Sequence, residues 1–200
     1  MSTAAQIQTI NALPPERSVR ATNHVGMILA LVSFSMMFLG LFYAYGLLRI
    51  RAVAWPPPGV PEAPTVLPTI ITALMLCSSV LLEASRKKLA QDDVVAFQRL
   101  AMVAIIFGFL FLGLQASVWV ELWDAGLTLA IGPYASIFYF LTTFHALHVL
   151  AGLGILVWMY VVAPRAAHPE LRASRAHLSS MFWHFVGVVW LIIFSLVYVF

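Results

Sequence analysis

Uncharged apolar runs alternate with short clusters of charge along this chain, and the alternation repeats five times. A helix needs about 20 mostly apolar residues to cross a hydrocarbon core of about 30 Å. Five segments meet or approach that length: residues 25–48, 66–84, 100–120, 134–163 and 178–200, the second at the short end. The pattern predicts an all-α fold, a polytopic membrane helix bundle with five transmembrane helices forming one domain over residues 24–200. The fourth span would be about 45 Å long at 1.5 Å per residue, so it must tilt or project beyond the bilayer. Residues 1–23 are polar and include Pro14, Pro15, Glu16, Arg17 and Arg20. Lacking the basic-then-apolar order and small-residue cleavage site of a signal peptide, they read as a cytoplasmic tail.

Charge supplies the orientation. In a five-span layout Arg17, Arg20, Arg86, Lys87, Lys88, Arg99, Arg165, Arg172 and Arg175 fall on one side, and only Arg49 and Arg51 on the other. Basic residues concentrate in cytoplasmic loops, so the N-terminus is expected in the cytoplasm and the C-terminus in the periplasm. Aromatic anchors agree: Tyr43, Tyr45, Trp55, Trp119, Trp123, Tyr134 and Tyr198 fall near outer ends, and Trp158, Tyr160 and Trp183 near inner ones. The 11 prolines lie in the tail, in loops, or in the first turn of a span at Pro68. Transporters commonly bind substrate at broken helices near the midplane, and no proline interrupts a span here. The outer loop WPPPG at 55–59 is expected to be a stiff, polyproline-like strap.

Composition narrows the chemistry. With 62% hydrophobic and 10% charged residues and a mean hydropathy of +0.94, the chain is far from the roughly one-quarter charge of soluble domains. The net charge of +3 reflects membrane topology, and no nucleic-acid partner is expected. The single cysteine, Cys77, sits in an apolar run and is expected to be a small buried hydrophobe. Ionisable side chains inside a bilayer are expensive, which singles out His145, His148 and His184. His145 and His148 are three residues apart and share a helix face, extended by Leu141 and by Gly152, where a neighbouring helix could approach closely. A haem or metal site is one reading of these histidines. The other, which fits the absence of companion carboxylates or a second cysteine, is interhelical hydrogen bonding that locks the fourth helix to the fifth. Glu83 and Glu121 fall at helix ends, and Asp92 and Asp93 in the basic inner loop. No carboxylate pair offers acid–base catalysis. Arg86, Lys87 and Lys88 either hold anionic lipid headgroups or act only as topology determinants.

Two segments carry a family resemblance. FHALHVLAG at 144–152 resembles the "FHGLHV…G" signature of cytochrome c oxidase subunit III, and FWHFVGVVW at 182–190 resembles its "YWHFVDVVW" motif. WPPPG at 55–59, LCSS at 76–79 and LQAS at 114–117 match other pieces in the expected order, so the resemblance covers about residues 24–200. Five spans match the short bacterial form. The resemblance implies a non-catalytic subunit packed against subunit I, with subunit II and small or supercomplex subunits as further partners, together with phospholipids. Haem and copper are implied in the partner subunits and none on this chain. His145, His148, Gly152, Trp183, His184, Gly187 and Trp190 become contacts between helices or subunits. Glu83, Arg86, Lys87, Lys88 and Glu121 become lipid- or proton-related positions.

Three positions depart from the family pattern. Gly187 stands where the motif has aspartate, Val118 where glutamate is usual (Glu121 lies one turn on), and Gln91 where a carboxylate is often found. A proton-handling role resting on those groups lacks its carboxylates here, whereas a packing role is untouched. Gly187, between Trp183 and Trp190, is expected to be a close-approach contact. Related alternatives are subunit III of a quinol oxidase or a nitric oxide reductase-associated homologue. A rival from another class is a haem-b electron carrier.

Overall fold

The computed structural model describes residues 15–61, 64–165 and 169–199, with side chains from residue 21 onward apart from that of residue 169. Five long helices follow one another: α1 Pro15–Arg51, α2 Val66–Ala90, α3 Val94–Asp124, α4 Pro133–Val162 and α5 Pro169–Phe194. A 3-10 turn, Leu129–Ile131, precedes α4, and a π turn, Ser195–Val199, follows α5. No strand occurs among the described residues. Each helix contains a stretch long and apolar enough to cross a membrane, and the chain is a multi-pass membrane protein. Helices α2, α3, α4 and α5 close a ring in which α5 packs back on α2. Helix α1 lies outside it, against α4 and α5.

The helices outrun the apolar segments that announce them. Helix α1 begins at Pro15, inside the expected tail, whose residues 1–14 lie outside the described part. The expected basic loop between the second and third spans is mostly helix: Arg86, Lys87 and Lys88 belong to α2 and Arg99 to α3. Hydropathy reports which residues favour hydrocarbon, whereas backbone hydrogen bonding continues unchanged into the headgroup region.

The α2–α3 connection is reduced to Gln91, Asp92 and Asp93. Asp92 takes φ +60°, a left-handed conformation that aspartate tolerates better than most residues. Asp92 N–H donates to Leu89 O and Asp93 N–H to Lys88 O, both at 3.1 Å, the paired bonds of a Schellman ending. The Asp93 carboxylate then accepts from Ala96 N–H at 3.0 Å, capping α3. Asp92 pairs with Arg172 of α5 at 2.7 Å, which brings this turn and the start of α5 to the same side of the bundle.

At the opposite end Trp55 is the pin. Its indole N–H donates to the Tyr45 hydroxyl (3.1 Å), which donates to Leu196 O (2.7 Å) in the π turn. Its ring packs edge-on against Tyr45 and Tyr134. The loop is not an extended strap: Val60 N–H donates to Pro57 O at 3.2 Å and Gly59 takes φ +83°. That left-handed glycine reverses a chain the prolines would otherwise keep extended. Several sequence expectations about burial also change, among them that for the outer-end residue Tyr45, which is buried. Cys77 is exposed, on the opposite side of α2 from the buried stripe Ile71, Met75, Ser78, Leu82 and Ser85. Trp183, expected as an inner-end anchor, is fully buried, and Tyr134 and Tyr198 are buried too.

Candidate functional site

The chemically unusual residues of the spans gather where α4 and α5 meet. Trp183 is their centre. Its six-membered ring fills the space left by two glycines: a Cβ added at Gly108 of α3 would lie 2.8 Å from Trp183 Cη2 and 2.6 Å from Leu153 Cδ2. One added at Gly152 of α4 would lie 3.1 Å from Trp183 Cε3 and 3.2 Å from Phe182. Small residues let helices approach in lipid, where packing must replace the hydrophobic effect. The Trp183 N–H donates to Ser78 Oγ of α2 (3.1 Å), and Ser78 in turn donates to Ala104 O of α3 (2.9 Å). One indole thereby touches all three other helices of the ring.

Two more indoles repeat the device. Trp190 N–H donates to Thr72 Oγ1 (2.9 Å), joining α5 to α2. Trp119 N–H donates to Thr142 Oγ1 (3.0 Å), joining α3 to α4. Ser85 Oγ adds a bond to Phe97 O between α2 and α3 at 3.1 Å. A hydroxyl can accept an indole proton and pass its own to a backbone carbonyl, so no buried N–H in this set is left unpaired.

The histidines do less hydrogen bonding than the sequence suggests. His145 is fully buried, stacked on Trp190 at 5.3 Å between ring centroids, with Phe38 and Phe111 edge-on. Neither of its ring nitrogens finds a partner among the described residues. His148 shares Phe38 with His145 but otherwise turns toward α1, packing on Phe34. Its Nδ1 donates to Phe144 O of its own helix at 2.8 Å. His184 of α5 lies on the side of Glu83 and Arg86 in α2. The fastening of α4 to α5 is thus aromatic stacking and close packing, and the hydrogen bonds between helices come from tryptophan and serine side chains, not from these histidines. An imidazole walled in by three aromatic rings has no partner to reach.

Gly187 is buried, but a methyl group there would meet Ser79 Oγ and Met75 Cγ at 3.5 and 3.9 Å, ordinary contact distances. The tight approaches are at Gly152 and at Gly108, which the sequence reading missed. Its only signal was a glycine within a Phe- and Leu-rich span. At the neutral positions Val118 is fully buried and Gln91 is exposed. Glu83 sits well inside α2 and grips Arg86 through two bonds of 2.9 and 2.6 Å. Lys87 is exposed and Lys88 half-buried beside them, while Glu121 lies exposed in the last turn of α3, at the other end of the bundle.

No group of three or more His, Cys, Asp or Glu side chains converges among the described residues. His145 packs on Trp190 and Phe111, His148 on Phe34 and Phe144, and His184 lies toward Glu83 and Arg86.

Fold and site together define a multi-pass membrane bundle whose core polarity joins helix to helix. The comparisons make this specific. The family model for cytochrome c oxidase subunit III matches residues 13–200. Cytochrome c oxidase subunit 3 of Synechocystis sp. is 35% identical over 177 residues, covering 86% of this chain and 73% of the relative. That of Thermostichus vulcanus is 33% identical, covering 88% and 86%. A probable cytochrome c oxidase subunit 3 of Nocardia farcinica is 30% identical, covering 87% and 86%. The chain belongs to the cytochrome c oxidase subunit III family. It is the non-catalytic part of an oxidase complex of the respiratory chain. The relatives give the quinol oxidase, nitric oxide reductase and haem-carrier readings no support.

Proposed function

We propose that this chain works as a packing and lipid-holding partner of subunit I in a bacterial cytoplasmic membrane, with its N-terminus in the cytoplasm. The complex would pass electrons from cytochrome c to oxygen and move protons outward, with haem and copper in the partner subunits. Subunit I is the main contact, and subunit II and small or supercomplex subunits are further ones. The observation that carries this reading is the use made of the intramembrane polar groups. Indoles, hydroxyls and His145 all serve helix contacts within the bundle. The skew of lysine and arginine supports the orientation. At the inner end, Arg86 held by Glu83, with Lys87 and Lys88 nearby, suits anionic headgroups.

Affinity purification of the full chain from membranes tests the reading. Recovery with a large many-span haem protein and a copper-binding subunit is expected; recovery of the chain alone overturns it. The purified chain separated from its partners should be colourless, and a stoichiometric Soret band would require a haem carrier instead.

A further inference from the structure

The bonds that join helix to helix leave a set of buried polar atoms over. Among the described residues, six buried side-chain nitrogens and oxygens find no hydrogen-bond partner, and all belong to Gln115, Tyr139, His145 and Tyr198. They are not scattered. Gln115 lies in α3, Tyr139 and His145 in α4, and Tyr198 in the π turn after α5. Each stands in the half of the bundle away from the Asp92–Asp93 turn.

Register and ring contacts bring these residues to one place. The Trp119–Thr142 bond and the approach of Leu153 to Gly108 set α3 and α4 antiparallel. One turn along each helix from that bond stand Gln115 and Ala146, so Gln115 is level with His145. Gln115 belongs to the buried stripe of α3 that holds Gly108, Phe111 and Val118, and it faces the bundle interior. Trp190 links His145 to the π turn. Its ring stacks on His145 at 5.3 Å and lies 6.3 Å from that of Tyr198. The Tyr198 hydroxyl lies toward Gln115, with Tyr139 within electrostatic reach. Tyr139 also borders a cleft of about 320 Å³ that opens between α3 and α4 beside Trp123 and Asp124.

A buried polar group without a partner loses its hydration and gains no bond in return. The amide offers two N–H groups and a carbonyl, each phenol an O–H that also accepts, and the imidazole one donor and one acceptor. None of the four is a carboxylate or an ammonium group, so a charged ligand would have no counter-ion. Water, with two donors and two acceptors, matches the mixture. Three aromatic rings keep other side chains from the His145 imidazole, and a water molecule is smaller than any of those side chains. Buried waters make about three bonds each to otherwise unpaired groups, so six atoms suit about two.

We propose that Gln115, Tyr198 and His145 hold about two water molecules inside the bundle, reached from the α3–α4 cleft past Tyr139. The site ends at Phe111 and Trp183, both fully buried, with the Trp183 N–H already bonded to Ser78. Water therefore enters the bundle from one end only. The inference rests on the interior of this chain and not on which subunits surround it.

Hydroxyl-radical footprinting of the purified oxidase complex containing the full chain tests it, since radicals formed from bound water modify the buried side chains beside that water. Tyr198 and His145 should be modified several times faster than Phe111 and Trp183, although an indole is intrinsically at least as reactive as a phenol or an imidazole. Gln115→Leu, an apolar side chain of similar size, should abolish most of the labelling at both residues. An unchanged circular dichroism spectrum will verify that the variant folds, and the comparison within the unaltered chain decides if it does not. Tyr198 and His145 as unreactive as Phe111 and Trp183 overturn the proposal, the interior then being dry. Labelling of Tyr198 without His145 also overturns it, because water would then reach only the rim. So do unchanged rates in a folded Gln115→Leu chain, since that amide would then hold no water.

Discussion

Helices α1 and α5 both cross the membrane, yet they are packed in opposite ways. Within its most apolar window α1 is 6% buried, whereas α5 is 44% buried. Helix α1 touches the ring through Phe34 and Phe38, which meet His148, and through Tyr45 and Arg49, which donate to the Leu196 carbonyl. Most of its remaining apolar surface, including Met36, Leu39 and Tyr43, faces outward. Helix α5 instead sends two tryptophans into the ring. Glycines show the same contrast. Gly26, Gly40 and Gly46 of α1 have nothing within 4 Å of an added Cβ, while Gly108 and Gly152 are filled by Trp183. Hydrophobicity takes a helix into the bilayer; only complementary shape and paired polar groups take it into the core.

Removing the filler is the severest way to break this contrast. Trp183→Ala should destabilise the chain by about 3–5 kcal/mol, read from denaturant unfolding in detergent. The α1 counterpart Leu39→Ala should stay within about 0.5 kcal/mol. Equal losses would show that α1 is as tightly packed as α5. Filling the gap from the other side is the next strongest test. Gly108→Ala should cost about 1–3 kcal/mol by overpacking, while Gly40→Ala, in an open helix interior, should be neutral or stabilising by up to about 1 kcal/mol.

Ser78→Ala isolates the hydrogen bonds from the packing. It leaves the Trp183 N–H without its partner and should lower stability by about 1 kcal/mol, close to what interhelical bonds are worth in membrane proteins. A loss as large as that of Trp183→Ala would mean that bonding, and not shape, holds α5. The smallest effect is expected at the rim: Arg172→Ala removes an ion pair to a largely exposed Asp92. It should cost under about 1 kcal/mol, and less still at high salt.

The five spans were legible because the bilayer imposes one simple requirement, length of apolar sequence. Helix ends were not: Pro15 begins α1 and Ala90 ends α2 well outside the apolar runs, since the helix persists wherever its backbone is satisfied. The site was half legible. His145, Gly152, Trp183 and Trp190 stood out by residue type, and all four meet at the α4–α5 contact. Their roles depended on Phe38, Phe111, Ser78 and Gly108, which come from three other helices and cannot be paired from one sequence. Trp183 looked like an interfacial anchor because its distance along α5 from the membrane surface was readable and its direction was not. Gly187 looked tighter than Gly108 because it stood between two tryptophans, yet both rings point at other helices.

The Trp183 contact also has a bearing on the order of events during synthesis. The α2–α3 hairpin joins partners 12 and 26 residues apart and can close as soon as α3 has entered the membrane. The Trp183–Ser78 bond spans 105 residues. Until α5 is made, the space that Trp183 takes beside Gly108 and Gly152 lacks its indole. The nascent bundle is therefore a half-closed vessel, and α5 is its stopper. Closure of the ring waits on the last helix to be synthesised, because only α5 joins α4 back to α2.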